Sequence, residues 1–198
     1  PLILMGHSMG AATAALTAAN YPHLVRAIIL SDPPWFSNAY EAEYTAKSTA
    51  DKVSPEVEQE NSFFVWLRDL QAMSLAEVEA ACRAENPHWQ EAEFAPWAKS
   101  KQAFDLNFFA YQPDWAWRPW QKYAHQLTCP GLLLRADVAQ GAIVTEEAAA
   151  EVLQAWAHGR VAYIPNAGHS IRRDQFEPFM TAVQAFLAEQ KKGLGAAA

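Results

Sequence analysis

The stretch LILMGHSMGAATAA, residues 2–15, decides the fold. Leu2-Ile3-Leu4-Met5 is an apolar strand-forming run, and the segment from Ala11 is rich in the best helix former, so strand must give way to helix across Gly6-His7-Ser8-Met9-Gly10. The helix is expected from Met9 to about Asn20, where Tyr21-Pro22 stops it. Val25 to Leu30 is a second apolar run, closed by Ser31-Asp32-Pro33-Pro34. Strand, helix and strand with short joints predict a right-handed crossover in a parallel sheet buried on both faces.

The same grammar returns after Cys129-Pro130. Gly131 to Arg135 reads as a strand, and Thr145 opens a helix carrying Ala149, Val152, Leu153 and Trp156 at helical spacing, with Gly159 just beyond its end. Arg160 to Ile164 is a further strand. After the loop Pro165 to Ser170, Asp174 and Glu177 form a capping box ahead of a last helix with Phe176, Phe179, Met180, Val183, Phe186 and Leu187 on one face. Residues 191–198 read as a flexible tail.

Between these α/β stretches, residues 33–126 lose the strand signals. Phe63, Trp66, Leu67 and Leu70 share a helical face, and Ser74-Leu75-Ala76-Glu77 is a capping box ahead of Val78 and Cys82, with Pro87 as the stop. Seven of the eight tryptophans (35, 66, 89, 97, 115, 117 and 120) fall here, which marks the segment as a helical insertion rich in aromatics. The expected fold class is therefore α/β, with a core from residues 1–32 and 127–190 and an inserted helical cap over 33–126.

The chain of 198 residues is 51% hydrophobic and 19% charged, the balance of a globular protein. Its net charge of −7 and lack of a basic stripe argue against nucleic acid or an anionic membrane surface as partner. No apolar run approaches the roughly 20 residues that span a bilayer, so a soluble, cytoplasmic protein is expected. Cys82 and Cys129 have no zinc or C-x-x-C spacing, so neither a metal nor a disulfide framework is expected.

G-x-S-x-G between a strand and a helix is the pattern of a nucleophile elbow. The serine sits on a strained turn so that its hydroxyl stands clear of both arms, and the glycines allow those arms to pass closely. Here the serine is Ser8, the glycines are Gly6 and Gly10, and His7 shapes the elbow pocket. The backbone N–H of Met9 opens the helix and points at a developing oxyanion. A serine hydroxyl needs an imidazole to take its proton, and Asn166-Ala167-Gly168-His169-Ser170 supplies one after the last strand.

These motifs resemble the α/β-hydrolase superfamily, in particular its capped members with a Gly-His-Ser-Met-Gly elbow. The resemblance implies Ser8 as nucleophile, His169 as base and no cofactor or metal. It places the acid in the loop after the strand before the last, where Asp137 is the one carboxylate in Arg135 to Thr145; Asp32 is the alternative, since some relatives carry their acid at the end of the earlier strand. It further implies hydrolysis of an ester or related acyl bond of a small to medium apolar substrate, with Trp35 at the pocket mouth. Cleavage of a carbon–carbon bond in a vinylogous diketone is the alternative reaction, and a non-catalytic binding protein the alternative class. Complete members carry further strands and a second oxyanion donor ahead of the elbow. The chain thus reads as a fragment, poorly soluble and nearly inactive alone, which self-associates through the uncovered edge of Leu2 to Met5.

Overall fold

The computed structural model describes residues 1–43, 62–110 and 119–195. Each apolar run of the α/β stretches forms a strand: β1 (Leu2–His7), β2 (Val25–Ser31), β3 (Gly131–Arg135) and β4 (Gly159–Tyr163). All three pairings are parallel, in the order β1-β2-β3-β4. Parallel neighbours need crossovers, and helices α1 (Met9–Asn20) and α5 (Glu146–Ala155) supply two of them. Thr145 caps α5 by accepting the Ala148 N–H at 3.0 Å.

Side chains alternate across the pleat, so each strand feeds two cores. On one face Ile28, Leu30 and Leu133 pack with the alanines of α1, with Val152 and with Trp156. On the other, Ala27, Ile29, Leu132 and Leu134 pack with Ile171, Phe179, Val183 and Phe186. Full burial of an Ile or Leu side chain contributes about 1.5–3 kcal/mol, so these two layers hold the strand ends in fixed register. Burial on both faces holds for β2 and β3. At β1 it does not: Leu2 is 66% and Met5 50% exposed.

The chain divides into two compact units, one of residues 1–47 and 118–198 and the other of residues 48–117. Trp35, Trp120 and Tyr123 belong to the core of the first unit, where the Trp35 ring lies 6.4 Å from that of Trp120 and 6.3 Å from that of Tyr123 between centroids. The second unit contains α2 (Ser62–Gln71), α3 (Leu75–Glu85) and α4 (Glu91–Gln102). Ser74 and Glu77 make the reciprocal capping box at the start of α3. Val78 and Ala98 meet Leu70, while Cys82, Phe94 and Trp89 form a neighbouring cluster against Trp97. Trp115 and Trp117 lie outside the described residues.

Two expectations at the C-terminal end change. Asp174 does not cap the last helix: it ends the short helix α6 (Ile171–Asp174), and Gln175 separates it from α7 (Phe176–Gly195). Its carboxylate instead accepts the Gly168 N–H at 2.8 Å, a local donor that outcompetes a helix cap. The expected tail over 191–198 is helical as far as Gly195, because the apolar face of α7 anchors a helix that then propagates.

Candidate active site

The C-terminal ends of β1, β2 and β4 lie along one edge of the parallel sheet, and three chemical groups sit there. At the end of β1, a Cβ on Gly6 would stand 2.2 Å from the Gly10 carbonyl oxygen, so no other residue fits between strand and helix. The same test at Gly10 finds open space, which corrects the expectation that both glycines are needed for the close pass. Gly10 contributes its backbone as the wall that Gly6 meets.

Ser8 adopts φ 54° and ψ −127°, a backbone conformation that costs a non-glycine residue about 1–3 kcal/mol. Its N–H donates to the Ser31 carbonyl at 2.9 Å, and its own carbonyl accepts from Ala11 and Ala12 in the first turn of α1. Although Ser8 is the N-cap residue, its side chain makes no cap bond, so the hydroxyl is not committed to the helix. The Met9 N–H is among the first-turn donors that an α-helix leaves without an internal acceptor.

At the end of β2, Asp32 is fully buried and has φ 41°. Its carboxylate accepts the Ile143 N–H at 2.9 Å and the Val144 N–H at 2.9 Å. His169 Nδ1 donates to Asp32 Oδ2 at 2.6 Å. A carboxylate can only accept, so the proton rests on Nδ1 and the lone pair on Nε2.

Asp137, favoured as the acid from sequence, does not meet His169. Its carboxylate binds the Tyr163 hydroxyl, the Asn166 N–H at 2.6 Å and Gln140 Nε2 at 3.2 Å. The Tyr163 hydroxyl first, and the Asn166 N–H next, hold the Asp137 carboxyl below the usual carboxylate range. The same bond raises the pKa of Tyr163. Asp137 thus braces the loop that carries His169, and Asp32, the alternative, holds the imidazole. Loop position in sequence could not separate the two, because the choice rests on which carboxylate the positive-φ turns at Asp32 and Asn166 bring under the ring.

Further contacts fix the His169 loop. Gln175 Nε2 donates to the Asn166 carbonyl at 3.0 Å, and a Cβ on Gly168 would stand 2.2 Å from the Gln140 carbonyl oxygen. His7, expected only to shape the pocket, donates from Nε2 to the main-chain carbonyl of His169 at 2.8 Å. Trp35, expected at the pocket mouth, is 1% exposed and donates from Nε1 to the Tyr123 hydroxyl at 3.1 Å. It is a core residue, because the chain turns inward after Asp32 onto α1. A cavity of about 230 Å³ beside the elbow is lined by Gly6, His7, Ser31, Ser170, Arg172 and Arg173 among others. Among the described residues no group of three His, Cys, Asp or Glu side chains is arranged to hold a metal ion.

The family model described as the alpha/beta hydrolase fold matches residues 1–172. The chain belongs to the α/β-hydrolase fold family. No curated protein matches it in sequence. Among solved structures, this α/β-hydrolase is similar to the N-formylmaleamic acid deformylase of Pseudomonas putida S16, with TM-score 0.62, 21% identity, and coverage of 91% of this chain and 65% of that one. It is also similar to E-2-(acetamidomethylene)succinate hydrolase, with TM-score 0.56, 20% identity, and coverage of 94% and 66%. A third is a thermophilic esterase from Thermogutta terrifontis, with TM-score 0.53, 21% identity, and coverage of 95% and 65%. The chain thus spans just under two thirds of the length of each, and its four-stranded sheet is part of their fold. No helix among the described residues is long and apolar enough to cross a membrane.

Proposed function

We propose that this α/β-hydrolase is a serine hydrolase that cleaves an ester or related acyl bond through an acyl-enzyme, with Ser8 as nucleophile, His169 as base and Asp32 as the orienting acid. The observation that carries the reading is the Nδ1–H bond from His169 to a buried Asp32, itself held by two backbone donors. That bond leaves Nε2 as the basic nitrogen, on the sheet edge where Ser8 stands. In the reaction Ser8 Oγ attacks the acyl carbon while His169 Nε2 takes its proton. The Met9 N–H stabilises the oxyanion. His169 then gives the proton to the departing alcohol. A water repeats the sequence: His169 takes its proton, the oxygen attacks the acyl carbon, Ser8 regains its proton and the acid leaves. Asp32 orients the His169 ring and stabilises the imidazolium.

A small to medium apolar acyl substrate is part of this reading; the cavity of about 230 Å³ beside the elbow has Gly6 and His7 in its lining but neither Ser8 nor His169. Arg172 and Arg173 in its lining favour a second reading within the same chemistry, an acyl substrate that carries a carboxylate. The named deformylase and succinate hydrolase have acidic molecules in their names. Paired neutral and carboxylated esters of equal acyl length separate the two readings. The helical insertion expected over residues 33–126 is proposed as a cap domain, and cleavage of a carbon–carbon bond in a vinylogous diketone is the alternative reaction.

A fluorophosphonate probe tests the assignment. The wild-type chain is expected to form one adduct, located at Ser8 by peptide mass spectrometry, and Ser8→Ala to form none. An adduct at another residue, or no adduct at all, overturns it.

A further inference from the structure

The proposed reaction leaves one well-placed side chain without a task. His7 stands between Gly6 and Ser8, and its imidazole reaches away from the elbow to His169, the residues being 162 apart in sequence. Its Nε2 lies 2.8 Å from the His169 carbonyl oxygen, and the two rings have centroids 4.5 Å apart at 43°. Since a carbonyl only accepts, the proton of neutral His7 must be on Nε2.

The remaining braces hold other atoms. Asp137 and Gln175 bind the backbone of Asn166, and Asp174 binds Gly168. Asp32 holds the His169 ring by Nδ1, which fixes its tautomer but leaves the ring free to pivot about that bond. The His7 bond adds a second anchor, at the backbone of His169 itself, and it starts from the residue next to Ser8. A tether from β1 to the base links the strand that carries Ser8 to the backbone from which the imidazole projects. The charged or titratable groups facing His7 are His169, Asp32 and Arg173.

We propose that His7 is a positioning residue whose Nε2–H bond to the His169 carbonyl locks the base to the strand that carries Ser8. The tether itself is independent of the serine chemistry; only its effect on rate rests on that reading. Partial burial first, and the His169 and Arg173 charges after it, lower the His7 pKa, against the opposing pull of the carbonyl bond and Asp32.

The test uses the full 198-residue chain and needs no substrate for its first arm. Nitrogen-15 shifts of the histidine rings are expected to show neutral His7 as the Nε2–H tautomer; an Nδ1–H tautomer overturns the proposal. The second arm compares His7→Gln, whose amide keeps a donor of similar reach, with His7→Leu and the shorter His7→Asn. Amide exchange at Gly168 to Ser170 is expected to accelerate in Leu and Asn and to stay at the wild-type rate in Gln. For fluorophosphonate labelling, the maximal inactivation rate is expected to fall about 10²-fold in Leu and Asn, with probe affinity unchanged and Gln near wild type. Exchange and inactivation in Leu and Asn both within about twofold of wild type overturn the proposal. Where wild type takes no label, the serine assignment fails, and the tautomer and exchange arms still decide the role of His7.

Discussion

Two aspartates with opposite surroundings show how a single residue acquires its role. Asp32 is fully buried, bonded by two backbone N–H groups and by His169, whereas Asp137 is half-buried and ties Tyr163 to Asn166. Replacing Asp32 by Asn keeps the shape but offers the imidazole an amide, which stabilises the wrong tautomer. Labelling of Ser8 is then expected to slow about 10⁴-fold. Asp137→Asn leaves the His169 ring on Asp32, and labelling is expected to slow by no more than about tenfold. Parallel inactivation kinetics check the pair, and equal losses would contradict the assignment of the acid.

Asp137 also makes a prediction in pH. Its folded pKa is depressed by Tyr163 and then by Asn166, so the folded state binds a proton less readily than the unfolded state does. The stabilisation is complete above the unfolded value near about 3.9 and is lost as pH falls through the lower folded value. Urea midpoints of wild type and Asp137→Asn are therefore expected to differ most above about pH 4 and to converge towards about pH 2. A gap that stays constant over this range would deny the bonds their role.

At the scale of the element, the turn from β1 into α1 joins strain at Ser8 to crowding at Gly6. A methyl group on Gly6 would meet backbone, the Gly10 carbonyl oxygen at 2.2 Å, and backbone cannot rotate aside as a side chain can. Gly6→Ala is expected to cost at the upper end of about 1–3 kcal/mol, read from urea unfolding. Gly10→Ala places its methyl in open space and is expected to be milder. If the two cost the same, the close approach is not what holds the turn. This turn was legible from sequence, because an apolar run, a glycine-flanked serine and an alanine-rich helix each point locally to it. The loop before α6 was not, since the bonds of Asp174 and Gln175 to it depend on where two later helices settle.

At the scale of the molecule, β1 and β4 are the two edge strands of the sheet among the described residues. β1 has a neighbour in β2 alone among the described strands, and it exposes Leu2 and Met5. Unpaired N–H and C=O groups beside exposed apolar side chains form a template for another strand. The 198-residue chain is therefore expected to self-associate with rising concentration, and Met5→Lys to shift it towards monomer by sedimentation velocity. Concentration-independent monomer in both would remove this edge as a pairing surface. The cavity beside the elbow opens near the same strand, lined by Met5, Gly6 and His7.

The amino-acid sequence by itself determined the elements and the chemical candidates: short continuous apolar runs, alanine-rich and capped helices, a serine in a glycine-flanked turn and a histidine after the last strand. These are local features, written in neighbouring residues. Only the tertiary structure decided that Asp32 rather than Asp137 meets His169, that Trp35 fills the core, and that His7 reaches across 162 residues to a carbonyl. Such pairings depend on strand order, backbone sign at single residues and the direction of side chains on packed elements, and none of these is encoded by spacing along the chain.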